Sequence, residues 1–292
     1  MPLPPSVHEG ILILLREKVS SSLVLRNFEP ASGGCINHGG RLASTHGDFF
    51  VKWNDAAKYP GMFDAEAKGL ELLGIRQAID IPLVIGAATH ASHQFIVMEF
   101  RESKPPSKTF WRDLGRQLAM LHRRSDESPG LDHDNYIGSL QQSNHRRNSW
   151  LDFFIQERIL PQLRLANLTG TLMMAQFEKL FIRLPSLIPD ERIALLHGDL
   201  WHGNLIVNSR GGPCLIDPAV YYGNREADLA MTQLFGGFDP SFFDEYQRTD
   251  ALAPGFRERF DIYNLYPLLV HLNLFGSGYL GQISSILKKV VD

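Results

Sequence analysis

The sequence lacks the features that would assign it to several specialised classes. Its 292 residues include only two cysteines, Cys35 and Cys214, and two thiols cannot form the disulfide framework of a small secreted domain. The net charge of -3 supplies no strong field for nucleic acid or an anionic membrane. No segment approaches the roughly 20 apolar residues of a membrane span, and no secretory signal opens the chain. We therefore expect a cytoplasmic protein with neither a nucleic-acid nor a membrane partner.

Length and hydrophobic patterning predict two lobes of different composition. A chain of 292 residues exceeds one average domain. The first part contains five short apolar runs typical of strands and one inserted helix, at residues 23–28, 40–45, 49–53, 63–70, 81–85 and 95–100. Prolines and charges at residues 101–107 interrupt this pattern as a linker does. The second part has mostly helical periodicity, at residues 109–124, 150–165 and 256–275.

The most informative segment joins an acid, an amide and a second acid. Asp199 is followed by Asn204 and, after two short strands at 205–208 and 214–217, by Asp217. Phosphoryl transfer needs a carboxylate that receives the acceptor proton and oxygen ligands that hold Mg²⁺ on the phosphates. The interval from Asp199 to Asn204 is that of a protein-kinase catalytic loop. Each residue alone is an ordinary turn or strand-end residue, but the set indicates an ATP-dependent kinase with Asp199 as base and Asn204 and Asp217 as Mg²⁺ ligands.

A second group of residues is typical of an ATP site in the first lobe. Lys52 lies on a strand and Glu66 on the following helix, which are the positions of the phosphate-neutralising lysine and its carboxylate partner in kinases. A glycine loop between the first two strands would let backbone N–H groups approach phosphates; it comprises Gly33, Gly34, Cys35, Ile36 and Asn37. The last strand ends at Met98, Glu99 and Phe100, where a kinase presents its backbone to adenine; a plain strand end is the alternative.

Several motifs together resemble the fructosamine (ketosamine) kinase family, from about residue 28 to residue 279. They lie at residues 33–37, 63–70, 135–138, 197–204, 224–231 and 271–276. The resemblance implies the two-lobed, protein-kinase-like α+β fold. It has a nucleotide-binding lobe (residues 1–103) with a five-stranded antiparallel sheet and one main helix, and a larger, mostly helical catalytic lobe (residues 104–292). It also implies phosphorylation of a sugar hydroxyl, typically on carbon 3, in small-molecule or protein-linked ketosamines. This reaction supports deglycation.

Other functions stay open from the sequence. Gly198 replaces the arginine usual in protein kinases, as it does in aminoglycoside and choline kinases, so another small-molecule acceptor is an alternative. A non-catalytic nucleotide-binding or redox-sensing module is a second alternative, which the intact set of kinase residues disfavours. The oligomeric state is not predicted.

Four individual residues each have two interpretations. Trp201 and His202 follow the proposed base and either contact substrate or have structural roles. Asp228 either braces the catalytic loop or is an ordinary partner of a helix dipole. Cys35 is either a redox-sensitive thiol beside the phosphates or a small loop residue, whereas Cys214, on an apolar strand, is expected to be inert.

Overall fold

The computed structural model describes residues 2–31, 37–75 and 78–291. The chain forms two compact units: Met1–Phe110 with Ile206–Asp217, and Trp111–Leu205 with Pro218–Asp292. The first unit thus extends beyond residue 103 and takes in a short segment from the second half of the chain. The division into functional lobes at residue 103 stays a prediction. Within the described residues, no helix has the length and apolar character needed to cross a membrane.

The first unit is built on a five-stranded antiparallel sheet. The strands are β1 (Leu25–Pro30), β2 (His38–Ser44), β3 (Gly47–Asp55), β4 (Val84–His90) and β5 (His93–Glu99), in the spatial order β1-β2-β3-β5-β4. Every neighbouring pair is antiparallel. The predicted five-stranded antiparallel sheet is therefore confirmed, although the strand predicted at residues 81–85 begins at Val84.

The two faces of this sheet carry different helices because side chains alternate along a strand. Helix α1 (Pro5–Lys18) packs on the face that bears Val51 and Trp53. Helix α2 (Met62–Gly74) packs through Phe63 on the opposite face. Lys52 lies between Val51 and Trp53, so its side chain points towards α2.

The second unit is mostly helical, in agreement with the periodicity of the sequence. Its helices are α3 (Phe110–His122, whose first residue belongs to the first unit), α4 (Trp150–Phe153), α5 (Leu160–Leu165), α6 (Leu172–Leu187), α7 (Glu226–Leu234), α8 (Pro240–Thr249), α9 (Phe256–Phe275) and α10 (Leu280–Val291). A π-helical turn, Phe154–Ile159, joins α4 to α5. Helix α9 is buried along most of its length and packs against α7.

Short strands complete the second unit, and one of them leads into the loop at residues 197–204. They are β6 (Ser125–Asp126), β7 (Asn135–Ile137), β8 (Leu140–Gln142), β9 (Ile193–Leu196) and β12 (Tyr221–Gly223). Strand β9 lies between β12 and β6, so the chain leaves a buried strand directly before residues 197–204. The hairpin of β10 (Leu205–Val207) and β11 (Pro213–Leu215) follows and carries Asp217 just beyond its second strand.

Candidate active site

In the first unit, Lys52 is held between two carboxylates. Its Nζ lies 2.6 Å from Oε1 of Glu66 on α2 and also donates a hydrogen bond to Asp217. Glu66 faces the sheet because it lies one helical turn after Phe63, a buried residue of α2. A strand, a helix and a distant hairpin therefore place three charged groups together, and the role of Lys52 and Glu66 towards ATP stays a prediction.

Burial and neighbouring charges shift the pKa of Lys52 in opposite directions. Its side chain is only 9% exposed and that of Glu66 only 11%, and burial alone lowers the pKa of a lysine. The carboxylates of Asp217 and Glu66 more than offset this effect, so the pKa of Lys52 is raised above its ordinary value. Lys52 therefore stays a cation at neutral pH, and the 43% exposure of the Asp217 side chain gives solvent access to one end of the cluster.

The β10–β11 hairpin is fastened to the rest of the first unit through Asp80. The backbone carbonyl of Asp80 accepts a hydrogen bond from Leu215 at 3.0 Å, and its Oδ2 accepts one from Asn208 at 2.8 Å. Asp217 then adopts a φ of +56°, in the left-handed region that few non-glycine residues occupy and that asparagine and aspartate tolerate best. The hairpin thus fixes the backbone from which Asp217 reaches Lys52.

In the second unit, Asp199 and Asn204 lie in one tight loop. Asn204 Nδ2 donates to both the backbone carbonyl and the Oδ2 atom of Asp199, each at 2.8 Å. The loop turns at Gly198, where φ is +82° and a Cβ atom would lie 2.0 Å from the carbonyl oxygen of Ala219. Only glycine fits this position, which gives a structural reason for the absence of an arginine there.

A buried network of hydrogen bonds holds the backbone of this loop in place. Asp228, on α7, accepts hydrogen bonds from the backbone N–H groups of His197 at 2.7 Å and Gly198 at 2.9 Å. His122 on α3 lies 3.2 Å from the same carboxylate through Nε2 and 2.8 Å from the Tyr246 hydroxyl through Nδ1. Burial raises the pKa of Asp228, but the hydrogen bond with His122 and that from Gly198 outweigh it, so the pKa is lowered. The bracing role considered for Asp228 therefore has a direct geometric basis.

A buried arginine behind the same loop could not be assigned from the sequence. Arg158, in the π-helical turn, is 0% exposed and lies 4.0 Å from the ring centre of Tyr221. Tyr221 pairs with Leu196, the last residue of β9. The guanidinium group of Arg158 donates hydrogen bonds to the carbonyl of Ser143 and, at 2.7 Å, to Asn144 Oδ1. The sequence does not single it out, because Asp152, Glu157 and Arg164 also lie in the helical stretch at residues 150–165.

The two residues suggested as substrate contacts have different surroundings. Trp201 is 36% exposed and its ring centre lies 5.9 Å from that of Phe235. His202 packs edge-on against Trp111 at 5.3 Å, and its Nε2 lies 3.1 Å from the carbonyl oxygen of Gly237. These contacts fix the position of the His202 ring, while both residues remain exposed to solvent.

The remaining nucleotide-site predictions are only partly covered by the described residues. Gly33, Gly34, Cys35 and Ile36 lie outside them. Asn37, at the end of that loop, accepts a hydrogen bond from the buried Asn54 at 2.8 Å, and its role towards phosphates stays a prediction.

At the end of β5, the backbone N–H groups are already used within the first unit. That of Glu99 donates to Leu83 at 2.8 Å and that of Phe100 to Asp48 at 3.3 Å. Met98 is 3% exposed and packs in the core beside α2. The adenine contact expected at these three residues therefore also stays a prediction.

Cys214 lies in buried surroundings of the kind expected for an unreactive thiol. Its side chain is completely buried, and burial raises the pKa of the thiol to about 12. A thiol with this pKa is almost entirely protonated at neutral pH and is a poor nucleophile.

The donor atoms available for a metal are oxygens. Asp217 supplies a carboxylate and Asn204 an amide, and both are ligand types that Mg²⁺ prefers. Among the described residues, no cluster of three or more His, Cys, Asp or Glu side chains is arranged to hold a metal. Mg²⁺ that is bound mainly through nucleotide phosphates needs only one or two protein ligands, and Asp217 and Asn204 are each of a ligand type that fits that ion.

Comparison with known proteins gives matches over almost the whole chain. A family model described as fructosamine kinase matches residues 8–292. The chain is 40% identical over 291 residues to a Synechocystis sp. protein named as a probable ketoamine kinase, covering 98% of this chain and 97% of the relative. A solved structure from Haemophilus somnus, named as a fructosamine-3-kinase, has a TM-score of 0.88 at 27% identity and covers 97% of both chains.

A more distant likeness concerns the fold alone. The macrolide 2'-phosphotransferase of Brachybacterium faecium has a TM-score of 0.58 at 14% identity, with 97% of each chain covered. The protein-kinase-like α+β fold predicted from the motifs is thereby confirmed.

Proposed function

Because the chain belongs to the fructosamine kinase family, we propose that it transfers the γ-phosphoryl group of ATP to a sugar hydroxyl of a ketosamine. The proposed acceptors are fructosamines and ribulosamines, free or linked to protein, with the hydroxyl on carbon 3 as the typical site. Phosphorylation there leads to release of the amine, so the reaction supports deglycation. The cytoplasm, where ATP is available, is the proposed compartment.

The cluster of Lys52, Glu66 and Asp217 is the observation that carries this proposal. A buried ammonium group held by a helix carboxylate is suited to neutralise the negative charge of nucleotide phosphates. Asp217 is bound to the same ammonium group, so phosphate charge and a metal-ligating carboxylate would meet at one place. A surface ion pair would not need this degree of burial, which costs desolvation energy.

Asp199 is the proposed general base. Its carboxylate would accept the proton of the acceptor hydroxyl as the oxygen attacks the γ-phosphorus. The two hydrogen bonds from Asn204 limit rotation of the carboxylate, and the Asp228 brace limits movement of the backbone on which it lies. Together they hold the base before the substrate arrives, which is how an enzyme lowers the entropic cost of alignment.

Asn204 and Asp217 are the proposed Mg²⁺ ligands. The hydrogen bonds from Asn204 to Asp199 use the amide nitrogen, which is the orientation that a metal-ligating Oδ1 requires. When bound, Mg²⁺ neutralises charge on the β- and γ-phosphates and orients them.

Phosphorylation of a substrate panel tests the proposed function. ATP consumption is measured with a ribulosamine, a fructosamine, an aminoglycoside and choline, and the phosphorylated product is identified by mass spectrometry and NMR. The expected result is a ketosamine with the highest kcat/KM and phosphate on carbon 3. Asp199→Asn is the matched control for contaminating kinases. Higher kcat/KM with the aminoglycoside or choline than with either ketosamine would reject the proposed acceptor while leaving the kinase activity intact.

A further inference from the structure

Residues 135–138, one of the family motifs, lie in a small hairpin of the second unit. Strands β7 and β8 are joined by a tight turn in which Gly138 has a φ of +59°, a left-handed conformation that glycine adopts without strain. Asn135 lies directly opposite Gln142 in this hairpin, and residues directly opposite each other present their side chains on the same face. The hairpin therefore places two carboxamide groups side by side.

The hydrogen bonds of these two carboxamides fix their orientation. Gln142 Nε2 donates to Asn135 Oδ1 at 2.7 Å and to the backbone carbonyl of Ala219 at 3.2 Å. Asn135 Nδ2 donates to the backbone carbonyl of Val220 at 2.8 Å. Because a backbone carbonyl only accepts hydrogen bonds, each amide must turn its nitrogen towards it. A flip of either amide would place two acceptor oxygens against each other.

A tyrosine holds the other end of the Gln142 side chain. The hydroxyl group of Tyr266, on α9, donates a hydrogen bond to Gln142 Oε1 at 2.6 Å. The side chains of Asn135, Gln142 and Tyr266 are each at most 6% exposed, so water cannot replace a bond that is lost. We call these three residues the buried triad.

The backbone segment that the buried triad binds lies against the loop of the proposed base. The N–H group of Ala219 donates to the carbonyl of His197 at 2.9 Å. A Cβ atom at Gly198 would lie 2.0 Å from the carbonyl oxygen of Ala219, which is the oxygen that Gln142 binds. Gln142 therefore holds the peptide group that the loop contacts one residue before Asp199.

We propose that Gln142 is a positioning residue for Asp199, which it holds in place through the backbone of Ala219. Asn135 and Tyr266 support it by fixing the orientation of its amide. This inference rests on the proposed function, in which Asp199 is the base, and it assigns a role to the motif at residues 135–138. A displacement of about 1 Å at a catalytic group can cost about 100-fold in rate, so a small shift of the loop would lower kcat measurably.

Two substitutions and their combination test whether Tyr266 acts through Gln142. Gln142→Met keeps the length of the side chain but removes its hydrogen bonds, and should lower kcat about tenfold with KM for ATP changed less than about twofold. Tyr266→Phe removes only the hydroxyl group and should lower kcat about threefold. When Gln142→Met is already present, Tyr266→Phe should change kcat by less than about 1.5-fold, because the bond that it removes is already lost.

Gly198→Ala tests the contact with Ala219 by a measurement that does not depend on activity. The added methyl group meets the carbonyl oxygen of Ala219, which Gln142 holds in place in the parent. Without that hydrogen bond the carbonyl can move away from the methyl group. In urea unfolding, Gly198→Ala should therefore lower the midpoint by about half as much, or less, in the Gln142→Met protein as in the parent.

Gln162→Met is the matched control, because Gln162 on α5 is also buried and its Oε1 accepts a hydrogen bond from Asn273 at 2.8 Å. It should leave kcat within about twofold of the parent and should not alter the effect of Gly198→Ala. Parental kcat in Gln142→Met, or additive losses in either double variant of an active parent, would overturn the inference alone. A parent that phosphorylates no acceptor of the substrate panel would reject the proposed function, and this inference with it.

Discussion

Replacing Asp228 by asparagine should separate the brace behind the catalytic loop from the catalytic groups themselves. Oδ2 of Asp228 faces the N–H of His197 and the ring of His122, while Oδ1 faces the N–H of Gly198. An amide has only one oxygen. In either orientation of the new side chain, its NH₂ group must face a backbone donor that the carboxylate accepted in the parent.

The size of the effect follows from the burial of this site. Asp228 is 2% exposed, so water cannot replace a lost hydrogen bond. A hydrogen bond to a charged group contributes about 1.5–3 kcal/mol, and the remaining donor would be left buried without an acceptor. We expect a loss of about 2–4 kcal/mol in the free energy of unfolding. Because a displacement of about 1 Å can cost about 100-fold in rate, kcat should also fall by about that factor.

The pH dependence of unfolding adds a second readout. The pKa of Asp228 is lowered in the folded state, so its charged form stabilises the fold above the ordinary aspartate pKa of about 4, and this stabilisation is lost as pH falls through the folded-state pKa. The difference in unfolding free energy between the parent and Asp228→Asn should therefore shrink as the pH falls below about 4.

Urea unfolding and steady-state kinetics measure these quantities. Asp239→Asn is the control, since Asp239 caps α8 from an exposed position and asparagine caps helices equally well. The reasoning would be refuted by an Asp228→Asn protein with parental unfolding free energy and kcat, or by a difference in unfolding free energy between the two proteins that grows as the pH falls below about 4.

Three further substitutions test the other parts of the site. Asp199→Asn should lower kcat by about 10²–10⁴-fold with KM for ATP changed less than about twofold; near-parental turnover would remove Asp199 from the base role. Lys52→Met leaves the buried carboxylate of Glu66 and the partly exposed carboxylate of Asp217 without their cation, so urea unfolding should show a loss of about 3–5 kcal/mol and kinetics a higher KM for ATP; an unchanged KM would contradict its phosphate role. Gly198→Ala should destabilise more than Gly61→Ala, because both positions have positive φ but only Gly198 also meets a backbone oxygen; equal losses would show that the contact is unimportant.

The first unit was well predicted where its strands are buried and apolar. Strand β5 has five consecutive buried residues and was found from its composition. Strand β4 was placed too early because it is an edge strand of small residues, Gly86, Ala87 and Ala88 among them, which carry little β-propensity. Its position depends on the tertiary pairing with β5, which a local pattern does not contain.

In the second unit, the longest helix was predicted best. Helix α9 has the bounds expected from the sequence, Phe256–Phe275. Helices α6, α8 and α10 were not identified individually. Helix α6 contains Pro185 near its end and exposes Leu172 and Ile182 to solvent, so its apolar residues do not follow a single face.

Some site residues lie close together in the sequence, whereas others meet only in the folded chain, and this difference explains which of them the sequence could indicate. Asp199 and Asn204 are five residues apart, and Lys52 and Glu66 are 14 apart on consecutive elements, so their spacing alone indicates their chemistry. His122 and Asp228 are 106 residues apart and meet only because α3 and α7 fold together. Arg158 likewise contacts Tyr221, a residue distant in sequence that pairs with β9. Residues that react are concentrated in short segments because phosphoryl transfer requires fixed relative geometry, whereas residues that hold those segments in place can come from any part of the chain whose fold brings them near.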